Sequence, residues 1–208
     1  MDNKINLIIN VLDQMYPDAY CELNHRNDFE LLIAVLLSAQ TTDKAVNKLT
    51  HNLFEKYHNP QDYLNVNIKE LENDIKSIGL YRNKAKNIKL LSQQLIDNYQ
   101  GIVPSERVDL ESLAGVGRKT ANVVLANAFN IPAFAVDTHV ERVAKRLKLA
   151  YQNDSVLVVE KKLMKKFSKD LWSKLHHQFI FFGRYHCKAI NPNCQNCLLK
   201  EICRYPSR

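Results

Sequence analysis

Glycine and proline are scarce in this sequence, with only 5 and 6 residues among 208. A turn-rich sheet protein would need more of both, so their scarcity favours helices. Residues 1–20 lack an uninterrupted apolar run, because Asn, Asp or Gln recurs every few positions. This segment therefore has the character of neither a signal peptide nor a membrane span, and we expect a cytoplasmic protein.

Positive charge is concentrated in the carboxyl third of the chain. Residues 141–208 contain 15 Lys and Arg against 5 Asp and Glu, whereas residues 1–140 contain 14 against 17. Such a basic region attracts a polyanion, above all nucleic acid, through phosphate contacts and counterion release. The lysine-rich segment 161–170 is equally consistent with a solvated helix face.

Apolar residues recur with helical spacing along most of the chain, and no segment has a strong strand pattern, so we predict an all-α fold. Asp28 is expected to cap a helix whose apolar residues cover nearly every face, which places that helix in the core. Thr138 and Glu141 have the spacing of a capping box and predict the start of another helix.

Two glycines one residue apart lie in a turn between two predicted helices, over residues 110–114 and 118–129. Glycine permits positive φ and close approach of another backbone. The main-chain amides of the turn and of the next helix start can bind a phosphate, which predicts a sequence-independent contact with DNA. An ordinary turn between helices has the same pattern. The candidate contacts are Gly115, Val116, Gly117 and Arg118.

Four of the five cysteines lie near the carboxyl end with the spacing C-x6-C-x2-C-x5-C. In a chain without a secretion signal, four thiols this close together favour a metal site over disulfides. The spacing alone leaves zinc and an iron–sulfur cluster open, although common zinc sites pair two CxxC-like segments and this chain has one. The candidate ligands are Cys187, Cys194, Cys197 and Cys203.

The segments GVGRKTANVV and AVDTHVERVAKRL, together with the cysteine spacing, resemble the helix-hairpin-helix DNA glycosylases of the endonuclease III type. The resemblance implies a bifunctional base-excision repair enzyme. Such an enzyme removes oxidised or ring-saturated pyrimidines, such as thymine glycol, and cleaves the abasic site by β-elimination. It also implies one 4Fe-4S cluster on the four cysteines. Ala114 departs from the family, which has proline before the first glycine of the hairpin.

The resemblance places the catalytic lysine at Lys119 and the catalytic aspartate at Asp137. A primary amine can displace the base at the sugar carbon and form an imine that acidifies the neighbouring proton. Only the neutral amine reacts, so desolvation and positive neighbours such as Arg118 are expected to disfavour its charged form. An ionised carboxylate can stabilise the oxocarbenium-like sugar. A surface lysine and a helix cap are the ordinary structural explanations for the two residues.

Chemistry at this sugar carbon requires the nucleotide to leave the base stack. The resemblance places a glutamine that fills the resulting void at Gln40 and an apolar wedge at Leu80, where a helix cap and a loop leucine are the ordinary explanations. The cysteine loop is expected to direct further cations toward phosphates. These cations are Lys188, Lys200 and Arg204, with Arg208 as a further candidate. Secondary candidates for lining a base pocket are Ser38, Thr42, Asp43 and Glu111.

The resemblance also implies two helical domains with the active site in the cleft between them. One is a six-helix bundle over residues 22–131 that contains the helix-hairpin-helix segment 109–128. The other is discontinuous, with residues 1–21 and 132–208, and contains the cluster loop 187–203. The expected partner of a monomeric, nucleoid-associated chain is double-stranded DNA with damaged bases or abasic sites, and no membrane is involved.

Two other functions fit parts of the pattern. A monofunctional glycosylase of the same fold resembles this chain in the aspartate and the cysteines, but lacks a lysine at position 119 and carries an additional carboxyl-terminal domain. Since the sequence stops five residues after Cys203, that alternative is disfavoured. A non-catalytic DNA-binding module would use only the hairpin and the basic tail, and would need neither Lys119 nor Asp137.

Overall fold

The chain divides into two compact units in the computed structural model, which describes residues 3–205. One unit spans residues 21–131, and the other combines the stretch before Cys21 with the stretch from Pro132 onward. Residues 3–205 contain helices and turns but no β-strand, which confirms the all-α prediction. The candidate phosphate contact Arg208 lies outside the described residues.

The unit of residues 21–131 contains seven helices, one more than the six that the resemblance implies. Numbered along the whole chain, they are α2 (Asp28–Leu37), α3 (Asp43–Lys56), α4 (Pro60–Asn65), α5 (Ile68–Ile75), α6 (Tyr81–Tyr99), α7 (Arg107–Ser112) and α8 (Arg118–Ala128). Two of them, α4 and α7, have only six residues each.

Helix α2 forms the centre of this unit. Nine of its ten residues are buried, as its continuous apolar sequence predicts, and it packs against α3, α6 and α8. The predicted cap was wrong by one residue, because Asn27 rather than Asp28 accepts the N–H of Glu30. Asn is as good a capping residue as Asp, so local sequence did not distinguish the two. The carboxylate of Glu30 in turn accepts the main-chain N–H of Arg26.

The described part of the second unit, residues 3–20 and 132–205, contains four helices and three short helical turns. Apolar side chains from all four helices form its core, in which the rings of Phe134, Phe167 and Phe179 make mutual contacts. The helices are α1 (Asn3–Met15), α9 (Thr138–Arg146), α10 (Val156–Lys166) and α11 (Trp172–Phe181). The turns are 3-10 segments at Lys169–Leu171 and Lys200–Ile202 and a π-helical turn at Phe182–His186.

Helix α9 begins one residue earlier than a capping box at Thr138 would place it. Its N-cap is Asp137, whose carboxylate accepts two main-chain N–H groups, and Glu141 instead pairs with Lys145 at 2.5 Å. The π-helical turn packs directly on this helix, because a Cβ at Gly183 would lie 2.9 Å from the Cβ of His139. Only glycine permits that approach.

None of the helices among residues 3–205 combines the length and the apolar character needed to cross a membrane.

Candidate active site and cysteine pocket

The two glycines of the hairpin differ in conformation and surroundings. Gly115 has a φ of +78°, and a Cβ there would lie 2.8 Å from the side-chain nitrogen of Asn87. Gly117 has a φ of −94°, and no atom lies within 4 Å of the position that its Cβ would occupy. Gly115 is therefore required for the fold of the turn, whereas the absence of a side chain at Gly117 leaves open space in front of the helix.

Val116 differs from its predicted role. Its side chain is only 5% exposed, and its main-chain N–H donates to the carbonyl of Leu113 at 3.1 Å. An apolar residue between the two glycines thus anchors the turn in the core, and its amide is already used. The residues at the start of α8 supply further amides, because the first N–H groups of a helix have no intrahelical partner.

The amino terminus of α8 lacks the side-chain cap that several other helices have. Its N-cap is Gly117, which has no side chain, whereas α2, α3, α4, α5, α9 and α10 each have a capping Asn, Thr, Asp or Ser. The first N–H groups of a helix have no intrahelical partner, and the helix dipole is positive there. This end of α8 is therefore suited to an anion.

The alanine at the position of the family's proline takes part in a hydrogen bond that proline could not form. The main-chain N–H of Ala114 donates to Oε1 of Gln94 at 2.8 Å, and Nε2 of the same Gln94 donates to the carbonyl of Ser112 at 3.2 Å. The side-chain amide of a single residue on α6 thus binds the chain on both sides of Leu113. The rigidity that proline would supply covalently comes here from this pair of hydrogen bonds.

Lys119 is the second residue of α8 and is exposed. Its neighbour Arg118 lies 3.8 Å from the carboxylate of Glu111, which is also 3.8 Å from Arg107. The positive neighbour expected from the sequence is therefore partly neutralised by an acid on α7. Glu111, a candidate for lining a pocket, has a defined electrostatic role between two arginines.

Asp137 is a helix cap by geometry. Its Oδ1 atom accepts the main-chain N–H groups of His139 and Val140, both at 2.8 Å. These hydrogen bonds to a charged acceptor fix the carboxylate in one orientation at the positive end of α9. The neighbouring His139 is half-buried, and its pKa is lowered chiefly by desolvation. Asp137 is thus a helix cap, and this structural role is compatible with a role in catalysis.

Gln40 and Leu80 lie on two loops that contact each other. Both residues have a left-handed backbone, with φ values of +56° and +59°, and both are exposed. A Cβ at Gly79 would lie 4.0 Å from the carbonyl oxygen of Gln40, so the loops approach within van der Waals distance. Gln40 is not the cap of α2, since that helix ends with Ser38 as its C-cap.

The other pocket candidates on these loops have local structural roles. Thr42 is the N-cap of α3, and its side chain accepts the N–H of Ala45. The hydroxyl of Ser38 donates to the carbonyl of Val35 at 2.8 Å, and Asp43 is the first residue of α3.

The four carboxyl-terminal cysteines line one pocket in the second unit. Leu147, Phe182 and Tyr205 also contribute to its wall. Burial raises the pKa of the thiols of Cys187 and Cys197. A metal or cluster would therefore have to displace their protons on binding.

The chemistry of this lining fits a metal or a cluster. The four thiols share one pocket, and sets of four thiols bind either zinc or an iron–sulfur cluster.

Two arginines of α9 hold the loop around this pocket. Arg146 is 8% exposed, and its Nη1 atom lies 2.7 Å from the carbonyl of Lys188 and 3.3 Å from Sγ of Cys187. Arg142 donates to the carbonyls of Cys187 and Gly183. The expectation that the basic region faces a polyanion was therefore incorrect for these two. In the sequence, only their i, i+4 spacing indicates that the two arginines lie on the same face of α9.

The remaining cations of the loop fit the prediction of surface charge. Lys188, Lys200 and Arg204 are all exposed. Arg204 is anchored through its backbone, because its main-chain N–H donates to the carbonyl of Arg146 at 2.8 Å. The loop thus presents three positive side chains on a backbone that α9 holds in place.

Comparison with known proteins gives consistent matches over nearly the whole chain. Residues 33–169 match the HhH-GPD superfamily of base excision DNA repair proteins. Endonuclease III of Bacillus subtilis (strain 168) is 58% identical over 97% of this chain and 92% of its own. Endonuclease III of Escherichia coli (strain K12) is 43% identical, over 97% and 95%. A trapped covalent intermediate of endonuclease III with DNA matches with a TM-score of 0.94 and 59% identity, over 98% and 97% of the chains.

Proposed function

The chain belongs to the endonuclease III family within the HhH-GPD superfamily of base excision DNA repair proteins, and we propose that it acts through Lys119 on oxidised pyrimidines. It is a DNA glycosylase that also cleaves abasic sites. The observation that carries the proposed role of Lys119 is its position: an exposed amine in the first turn of α8, beside a helix terminus suited to phosphate. Action on chromosomal DNA would place the protein with the nucleoid in the cytoplasm.

The hairpin is suited to bind the phosphates of the DNA backbone. The uncapped N–H groups of α8, the open space at Gly117 and the cation Arg118 together favour a phosphate at this end of the helix. Because these contacts involve no base, this binding would not depend on sequence. The hydrogen bonds from Gln94 keep the turn rigid enough to present these amides.

Lys119 is proposed as the nucleophile. Its neutral amine would attack C1′ of the sugar and displace the base, which leaves with a proton, while the attacking nitrogen loses one. Opening of the C1′–O4′ bond then gives the imine, and O4′ takes up a proton. The imine makes the C2′ proton acidic enough for β-elimination of the 3′ phosphate. This requires a deprotonated amine. Lys119 is exposed, so its amine is accessible to a bound substrate.

Asp137 is proposed to stabilise positive charge on the sugar as the base departs. Its carboxylate is held by the two N–H groups of α9, which leaves the second oxygen to face a substrate. A carboxylate fixed in advance does not have to reorganise in the transition state. Asparagine at this position would retain the helix cap and lose only the charge.

Gln40 and Leu80 are proposed to enter the duplex when the damaged nucleotide leaves it. Both are exposed on adjoining loops, and Leu80 is 53% exposed although it is apolar. A polar amide can occupy the place of the lost base, while an apolar wedge separates the neighbouring bases.

A 4Fe-4S cluster is proposed for the cysteine pocket, held by Cys187, Cys194, Cys197 and Cys203. When bound, it would supply cross-links that order the short segment between Cys187 and Cys203. The protein contributes the anchoring from Arg142 and Arg146, and the ordered loop presents Lys188, Lys200 and Arg204 to phosphates.

A duplex that contains one thymine glycol tests the proposal. Base release and strand cleavage are followed separately in the wild type, in Lys119→Gln and in Asp137→Asn. We expect the wild type to carry out both steps. Lys119→Gln should lose both, and Asp137→Asn should lower the rate by at least about a hundredfold, as the loss of a preorganised charge does in other enzymes.

Lys44→Gln is the matched control, because Lys44 is also an exposed lysine and the second residue of its helix, α3. It should behave as the wild type. Base release without strand cleavage in the wild type would indicate a monofunctional glycosylase. Unchanged DNA binding with neither product would indicate a binding module or a different lesion.

A further inference from the structure

The loops that carry Gln40 and Leu80 are connected by a buried lysine. Lys84 lies in the first turn of α6 and is only 4% exposed. Its main-chain N–H donates to the carbonyl of Leu80 at 3.0 Å, so its backbone closes the turn in which Leu80 has its left-handed conformation. Its side chain extends in the other direction, to the loop of Gln40.

The side chain of Lys84 binds the chain on both sides of Gln40. Its Nζ atom donates to the carbonyls of Leu37 at 2.9 Å and Ala39 at 2.7 Å, and to the hydroxyl of Thr41 at 3.1 Å. An ammonium group has three protons, and all three have an acceptor here. The residue that these bonds enclose, Gln40, is exposed.

Burying the Lys84 ammonium group and holding two residues in left-handed backbone both cost free energy. We therefore expect this loop conformation to matter for function. Burial lowers the pKa of Lys84, because its charged form is desolvated. Left-handed backbone is also disfavoured for residues with a Cβ, and such strain persists only where the surrounding structure imposes it. The negative end of the α2 dipole, at Leu37, favours a cation at this point. One buried cation thus imposes the strained conformation on the Gln40 loop and closes the Leu80 turn.

We propose that Lys84 is a positioning residue for opening the duplex. It holds Gln40 and Leu80 as one unit, so that Gln40 fills the void at the same time as Leu80 separates the neighbouring bases. This rests on the proposed function, in which these two side chains enter the DNA. Lys84 itself contacts neither the lesion nor the reacting atoms.

The test compares two DNA substrates. In one, a thymine glycol lies in a fully paired duplex; in the other, the same lesion lies within a short unpaired bubble, where the nucleotide is already out of the stack. The rate of covalent trapping by borohydride is measured under single-turnover conditions. Lys84→Met should slow trapping on the paired substrate about tenfold or more, as small misplacements do, and should change it by no more than about twofold on the bubble.

Lys89→Met is the matched control. Lys89 is on the same helix, and its Nζ atom also makes three hydrogen bonds, to the main-chain carbonyls of Tyr63, Leu64 and Val66. Those carbonyls belong to α4 and the turn after it, away from the Gln40 loop. Lys89→Met should therefore show no preference for the bubble over the paired substrate, whatever its effect on stability.

If Lys84→Met slows trapping equally on both substrates, Lys84 has only a structural role and the proposal is wrong. Unchanged trapping rates on both substrates would also overturn it. If Lys84→Met does not fold, Thr41→Val is tested instead, because it removes one of the three acceptors. It should also trap the bubble faster than the paired duplex, by a smaller factor. Without that difference the proposal fails. If the wild type traps neither substrate while it binds both, the proposed function itself fails, a result distinct from all the others.

Discussion

The Oε1 atom of Gln94 accepts the main-chain N–H of Ala114 at 2.8 Å, directly before the two-glycine hairpin. Gln94→Leu removes this bond and the one to the carbonyl of Ser112. Since two main-chain groups then lose their partner, we expect the free energy of unfolding to fall by about 1–3 kcal/mol. DNA affinity should fall as well, because the hairpin amides are less well fixed. Urea denaturation and fluorescence anisotropy with duplex DNA measure the two effects.

Gln93→Leu provides the control for this substitution. Gln93 is adjacent on α6 but exposed, and its amide donates only to the side chain of Asp97. It should change stability by no more than about 0.5 kcal/mol and leave DNA affinity unchanged. If both variants bind DNA equally well, the amide of Gln94 does not support the hairpin.

Alanine substitutions at the two hairpin glycines should separate folding from binding. Gly115→Ala combines a φ of +78° with a contact of 2.8 Å to Asn87, so we expect a loss of about 2 kcal/mol or more in stability. Gly117→Ala meets neither obstacle and should melt within a few degrees of the wild type, but its methyl group would occupy the space proposed for phosphate. Calorimetry measures stability, and DNA titration measures affinity. A destabilised Gly117→Ala with a stable Gly115→Ala would show that these roles are assigned wrongly.

A buried histidine predicts a pH dependence of stability. Desolvation, with a smaller contribution from His176, lowers the pKa of His177 from 6.5 to about 3. Below pH 6.5 the unfolded chain therefore takes up a proton that the folded protein excludes, and stability decreases as the pH falls. Between pH 7.5 and 5.0 this one residue should account for about 2 kcal/mol of lost unfolding free energy.

The comparison of variants isolates the contribution of His177. Urea denaturation of His177→Leu at the two pH values should show a difference smaller by about 2 kcal/mol than in the wild type. The variant His58→Gln, at an exposed histidine, serves as the reference. The same pH difference in His177→Leu and in the wild type would show that His177 does not titrate as described.

The cysteine pocket predicts which thiols retain iron. Cys197→Ser should lose most of the bound iron and sulfide and weaken DNA binding, because the loop with Lys188 and Lys200 is then poorly ordered. Cys21→Ser should retain the full content, since Cys21 lies in the other unit. Elemental analysis of the purified variants measures this. Stoichiometric zinc without sulfide in the wild type would contradict the cluster.

Some of this molecule was predictable because local patterns decide it. The continuous apolar run of α2 predicts a buried helix, and the spacing of the cysteines predicts a shared site. In each case the physical cause lies within a few residues of the feature.

Other features depend on contacts between distant parts of the chain. Lys84 lies 45 positions from Ala39, and Arg146 lies 42 from Lys188. By sequence alone each is an ordinary cation on a helix, because nothing nearby indicates that packing will bury it. The same holds for Val116, whose position between two glycines indicates an exposed turn and whose side chain nevertheless enters the core.

The most direct measurement of the central claim locates the covalent bond. The protein is incubated with duplex DNA that contains thymine glycol, the adduct is reduced with borohydride, and the cross-linked peptide is identified by mass spectrometry. The account predicts an adduct on Lys119, its absence in Lys119→Ala and its retention in Lys44→Ala. An adduct on another residue, or one that persists in Lys119→Ala, would contradict it.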